Sequence, residues 1–80
     1  MGSMKKLCRM VAEVLGVEEE SVTPDTGPMV LSAWDSLNHM RLMAQIEEYY
    51  AIMLSADEIV SLLSVQDIAG FLAAKGIQVE

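Results

Sequence analysis

Ser36 offers a hydroxyl where a helix is predicted to begin, flanked by Asp35 and Leu37 and preceded by a long irregular stretch. The backbone N–H groups at a helix N-terminus have no intrahelical acceptors, and the helix dipole adds partial positive charge there. A phosphodiester on the Ser36 oxygen would lie in that favourable field, so the position suits covalent attachment of a phosphate-bearing group. Asp35 is also a good N-cap, its side-chain oxygen able to accept a first-turn N–H. The roles are compatible: Asp35 caps the helix while Ser36 carries the group.

The elements that must position Ser36 follow from periodicity and punctuation. Leu7, Met10, Val11, Val14 and Leu15 recur at three- and four-residue steps, which predicts a first helix over 4–15 that Gly16 ends. From Val17 to Trp34, Glu18-Glu19-Glu20, Pro24, Asp25, Gly27 and Pro28 break both helical and strand patterns. A connection this long in so small a chain is uncommon and often functional. Val22, Met29, Val30 and Leu31 are expected to pin it across the core. A second helix is predicted over 36–50. Its core stripe is Leu42, Met43, Ile46, Tyr49, Tyr50 and Met53, and its opposite side carries Leu37, Met40 and Ala44 beside Arg41, Glu47 and Glu48. A helix that buries one face does not need this second apolar strip, which makes it a candidate docking surface. Ser55 and Glu58 form a capping box opening a short third helix through Ile59, Leu62 and Leu63. Ser64 and Asp67 repeat the device for a fourth helix bearing Val65, Ile68, Ala69, Phe71 and Leu72, which Gly76 stops. The predicted fold is all-α, a small four-helix bundle of three longer helices and one short one, with a long loop between helices 1 and 2.

Composition narrows the function classes. Eighty residues make one domain with a single thin core and no room for an enclosed catalytic cleft. Met1-Gly2-Ser3 before a second methionine reads as an expression scar, with a single domain over 4–76 and a tail over 77–80. The net charge is −7, with Lys5, Lys6 and Arg9 near the start and only Arg41 and Lys75 after them. No basic stripe is available to neutralise nucleic-acid phosphates, and a basic protein surface is the natural complement. No apolar run approaches a membrane span, and the expected setting is cytoplasmic. Cys8 is the single cysteine and is expected at the rim of the first helix's apolar face; no His or Cys cluster has metal-ligand spacing. His39 lacks an orienting acid and is expected to be a packing or loop-contact residue rather than a catalytic one.

With Asp35-Ser36-Leu37, the helix after it, Glu47-Glu48 and two short capped helices in hand, the chain resembles the acyl carrier proteins of fatty acid and polyketide synthesis from about Leu7 to Ala74. The resemblance implies a non-enzymatic protein whose Ser36 receives 4′-phosphopantetheine from coenzyme A through a separate phosphopantetheinyl transferase, making it a phosphoprotein. The arm would hold acyl groups as thioesters and present them to acyl-loading and acyl-processing enzymes with basic docking surfaces. Leu37, Met40, Ala44, Glu47 and Glu48 match the family's partner-binding face, and Arg41 stands among them on the expected partner-binding surface. An acyl chain is expected to fold back between helices 2 and 3 against Leu42, Ile46, Leu54, Ile59 and Leu62, with Ile68 and Phe71 behind and Met43 and Met53 repacking around it.

The chain also departs from the fatty-acid carriers, which commonly have acidic residues after the serine and a small residue before the aspartate. Here Asn38, Arg41 and Trp34 occupy those places. A reversed charge in a steering patch disfavours the usual partners and points to a stand-alone carrier of a specialised pathway. A peptidyl or aminoacyl carrier, and an all-α interaction module without a prosthetic group, are the alternative readings. A shuttle that presents its arm to several enzymes is expected to be monomeric.

Overall fold

In the computed structural model, which describes residues 5–77, four α-helices follow in chain order: α1 (Lys5–Leu15), α2 (Ser36–Tyr50), α3 (Ala56–Ser61) and α4 (Val65–Ala74). A 3₁₀ turn, Glu19–Ser21, interrupts the long first connection. The bundle has the predicted three longer helices and one short one. Met1-Gly2-Ser3, Met4 and residues 78–80 lie outside the described residues.

Amphipathic faces build the core. Leu7 and Val11 of α1, Leu42 and Ile46 of α2, and Val65, Ile68 and Leu72 of α4 are all fully buried together. Each such side chain contributes on the order of 2 kcal/mol by leaving water. The helix ends are equally readable. Asp35 accepts the Asn38 N–H at 2.9 Å, and Ser55 and Glu58 satisfy each other's backbone N–H at 3.1 and 2.8 Å. At the end of α4, Gly76 takes a left-handed φ of 82°, so that Gly76 and Ile77 donate back to Ala73 and Leu72. Ile77 is half-buried against the core.

The long connection is a packed strap. Val22 and Trp34 are buried at its two ends, and the buried Thr26 hydroxyl accepts the Thr23 N–H at 2.8 Å. The carbonyls of Thr26 and Pro24 accept the N–H groups of Val65 and Gln66 at 3.0 and 2.9 Å, satisfying the first donors of α4. Gly27 makes this approach possible, because a Cβ there would collide with the Leu63 carbonyl oxygen.

Several expected contacts differ. Met29 and Val30 are exposed, at 96% and 68%, and Trp34 pins the strap in their place. Tyr49 and Met53 are exposed rather than in the core, while Tyr50 is half-buried. Met53 is displaced because Ala51, ending α2, adopts a left-handed conformation, φ 56° and ψ 48°, so the helical wheel does not continue to it; Tyr49, still within α2, makes an edge contact with Tyr50 at 4.8 Å between ring centroids. The third helix stops at Ser61, with Leu62 buried as its C-cap and Leu63 exposed beyond it. Asp67, expected to reach back to Ser64, instead accepts the N–H of Leu63 at 3.3 Å.

Candidate functional site

Ser36 is the first residue of α2 and is exposed, with its neighbour Asp35 occupied in capping. The N–H groups of Ser36 and Leu37 belong to the first turn and have no acceptors within the helix. Asn38 ties this turn to the strap, its side-chain Nδ2 donating to the Ala33 carbonyl at 2.8 Å, while Arg41 donates to the Asn38 side-chain Oδ1 at 3.4 Å.

One turn further, His39 joins three segments of the chain. The Trp34 indole Nε1–H donates to His39 Nδ1 at 2.9 Å, and His39 Nε2 lies 2.7 Å from the carbonyl oxygen of Ile59 in α3. An indole nitrogen only donates and a carbonyl only accepts, so Nδ1 carries the lone pair and Nε2 the proton. His39 is therefore the loop-contact residue its isolation predicted. Trp34 was not foreseen in this role, although a readable signal exists: it stands just before the N-cap, and His39 is the fourth residue of the helix. Those are the positions a hydrophobic staple joins, here linked by a hydrogen bond.

A groove of about 500 Å³ opens beside Ser36. Pro28, Trp34, Asp35, Ser36, His39, Met40, Ile59, Val60 and Leu63 line it. Of the seven residues predicted to line an acyl cavity, this groove shares only Ile59. Leu42, Ile46, Leu62 and Ile68 are buried in the close-packed core, while Leu54 and Phe71 pack half-buried against it. The groove lies on the neighbouring side of α2 because the strap, through Trp34 and Pro28, forms one of its walls. Pro28, Val60 and Leu63 were not predicted to line the groove; Val60 lies in a helix too short for its periodicity to decide the matter, and Leu63 lies beyond that helix's end.

The opposite strip of α2 is placed as its periodicity predicts. Leu37 and Met40 are 68% and 53% exposed, and Arg41, Ala44 and Glu48 are exposed beside them. Glu47 differs: it is partly covered, and its carboxylate accepts the N–H of Leu54 at 2.8 Å, so this acid holds the α2–α3 turn. In α3, the Ser55 N–H holds the Glu58 carboxyl below its ordinary value, with the Ser55 hydroxyl and Lys75 acting in the same sense. Cys8 lies at the rim of the α1 core face, its thiol pushed up by burial and by the Glu19 carboxylate.

No helix among the described residues is long and apolar enough to cross a membrane. An exposed hydroxyl on a first helical turn presents unpaired backbone N–H donors to a phosphate-linked group, and an apolar groove opens alongside. Residues 5–72 match the family described as phosphopantetheine attachment site, whose members hold 4′-phosphopantetheine covalently. The match spans most of the chain, and this protein belongs to the phosphopantetheine-attachment family of carrier proteins.

Proposed function

We propose that this chain is a discrete acyl carrier protein, with Ser36 as the attachment point of the arm. The observation that carries the reading is the exposed Ser36 hydroxyl on the first turn of α2, beside the 500 Å³ groove. When attached, the phosphopantetheine arm supplies a terminal thiol that holds cargo as a thioester. The protein's own residues supply placement: Asp35 fixes the turn, Asn38 ties it to the strap, and the groove offers apolar cover. The chain itself performs no catalysis.

Acyl cargo is favoured over aminoacyl or peptidyl cargo by the groove's chemistry. The Trp34 N–H and both His39 nitrogens are already engaged, and Met40, Ile59, Val60 and Leu63 present only apolar surface. Away from Asp35 at the groove's edge, an ammonium group against this wall would lose its hydration without gaining a partner.

Leu37, Met40 and Ala44 with Glu48 form the docking face for a phosphopantetheinyl transferase and for acyl-loading and acyl-processing enzymes with basic surfaces. Docking through a small apolar strip and steering charge stays weak and fast, as a shuttle requires. Arg41 and Asn38, in place of acids, favour partners of a specialised pathway over the general fatty acid machinery. A cytoplasmic, monomeric protein fits this role, and a single half-buried thiol is compatible with a reducing compartment.

The test is intact mass after incubation with coenzyme A, magnesium and a broad-specificity phosphopantetheinyl transferase. The parent is expected to gain one phosphopantetheine and Ser36→Ala none. A modified Ser36→Ala protein would sink the site assignment, and an unmodified parent would favour an interaction module instead.

A further inference from the structure

The groove beside Ser36 is walled by two helices of unequal anchorage. α2 is fixed by Leu42, Met43 and Ile46, all buried, whereas none of the six residues of α3 is fully buried. Ile59 packs half-buried against the core and Leu62 is buried at the C-cap, but with no fully buried residue of its own the helix also relies on polar ties for its placement. Its capping box is internal to the helix, and Glu47 holds only the approach, at Leu54. Among the described residues, the hydrogen bond from His39 to Ile59 is the one that joins α2 to a residue within α3.

The Ile59 carbonyl is free for this bond because of where α3 stops. In a continuing helix it would accept the N–H of Leu63, but that N–H is turned to the Asp67 carboxylate. The carbonyl is left to His39, and Trp34 fixes which His39 nitrogen carries the proton. All three members of this relay line the groove.

We propose that His39 is a positioning residue that sets the spacing of α2 and α3 at the groove, and thereby the carrier's ability to shelter an apolar acyl chain; this rests on the carrier reading above. With the relay intact, Met40 on one wall and Ile59 and Val60 on the other stand at a fixed separation. With it broken, α3 loses its tie to α2 and the Ile59 carbonyl must be hydrated, which brings water into the apolar groove. The faces of α1, α2 and α4 that carry Leu7, Val11, Leu42, Ile46, Ile68 and Leu72 are buried without the hydrogen bonds of the relay.

The experiment loads the parent, His39→Ala, His39→Gln and Trp34→Phe from acetyl- and octanoyl-coenzyme A, confirms loading by intact mass, and measures thioester cleavage by hydroxylamine. In the parent the octanoyl thioester should be cleaved about tenfold more slowly than the acetyl, the equivalent of roughly two sheltered methylenes. His39→Ala should bring the ratio close to one. His39→Gln, which can both accept and donate, should retain much of it, and Trp34→Phe, which removes the N–H donor together with part of the buried indole, should lower it. If His39→Ala does not fold, Trp34→Phe provides the comparison.

A merely structural role would lower melting temperatures in every form and leave the octanoyl-to-acetyl ratio unchanged; that result, or a ratio of one in the parent, overturns the proposal. A parent that accepts no arm defeats the carrier reading itself, and the inference falls with it.

Discussion

Glu47, near the end of α2, reaches across the following turn to accept the N–H of Leu54 at 2.8 Å, and so joins the helix that carries Ser36 to the approach of α3. Its neighbour Glu48 is exposed and has no such duty. Two adjacent acids with the same charge are thereby divided between structure and surface.

The two glutamates should separate on substitution. Glu47→Lys leaves the Leu54 N–H without its acceptor and should cost about 1 kcal/mol, or some 5 °C in melting temperature. Glu48→Lys should leave the melt nearly unchanged while slowing phosphopantetheine loading at low salt, because exposed charges act on encounter more than on stability. Thermal melts monitored by circular dichroism, paired with loading rates across an ionic-strength series, make the comparison. Unchanged loading of Glu48→Lys at low salt would exclude this face as the docking surface.

Ala51→Gly should stabilise the protein. Ala51 is held at φ 56°, a left-handed conformation that crowds a Cβ and that glycine adopts freely. Relief of that strain should outweigh the added freedom of the unfolded chain, for a net gain of up to about 1 kcal/mol. The denaturation midpoint should rise with an unchanged denaturant slope; a lower midpoint would refute the strain assignment.

Gly27→Ala should act in the opposite direction. The new methyl group would meet the Leu63 carbonyl oxygen, forcing the strap away from the start of α4 and loosening the bonds from Val65 to Thr26 and from Gln66 to Pro24. A loss of about 2 kcal/mol is expected, within the range for steric disruption of a packed segment. Amide exchange at Val65 and Gln66 should accelerate more than exchange in the middle of α1, and uniform acceleration would argue against a local effect.

Stability should fall in acid partly through Glu58. Its carboxyl is held below the ordinary value of 4.5, first by the Ser55 N–H and then by the Ser55 hydroxyl and Lys75. A lowered folded-state value means that the contribution is present above about pH 4.5 and lost as pH falls through that lower value. Glu58→Gln keeps a side-chain acceptor but does not titrate, so its melting temperature should vary less than the parent's between neutral pH and pH 3.5. Identical pH dependence in both proteins would remove Glu58 from the account.

The sequence by itself determined the helices, their caps and the place of Ser36. Asp35, Ser55 and Ser64 each bond within three residues, and Gly76 turns the chain where α4 ends; such interactions are local and need no tertiary partner to be read. The outward strip of Leu37, Met40 and Ala44 was legible for the same reason, since one helical period assigns it to a face. What lay beyond a single element was decided only in three dimensions. The strap's anchor is Trp34 rather than Met29 or Val30, because burial of an irregular segment depends on how it is folded over the helices and not on a repeat. The groove is bounded by Pro28, Trp34, Met40 and Val60 rather than by Leu42 and Ile46 because the strongest apolar residues close-pack with one another. The relay from Trp34 through His39 to Ile59 required a helix that stops early and frees a carbonyl, and only the packing of α3 against α2 brings that carbonyl to the imidazole.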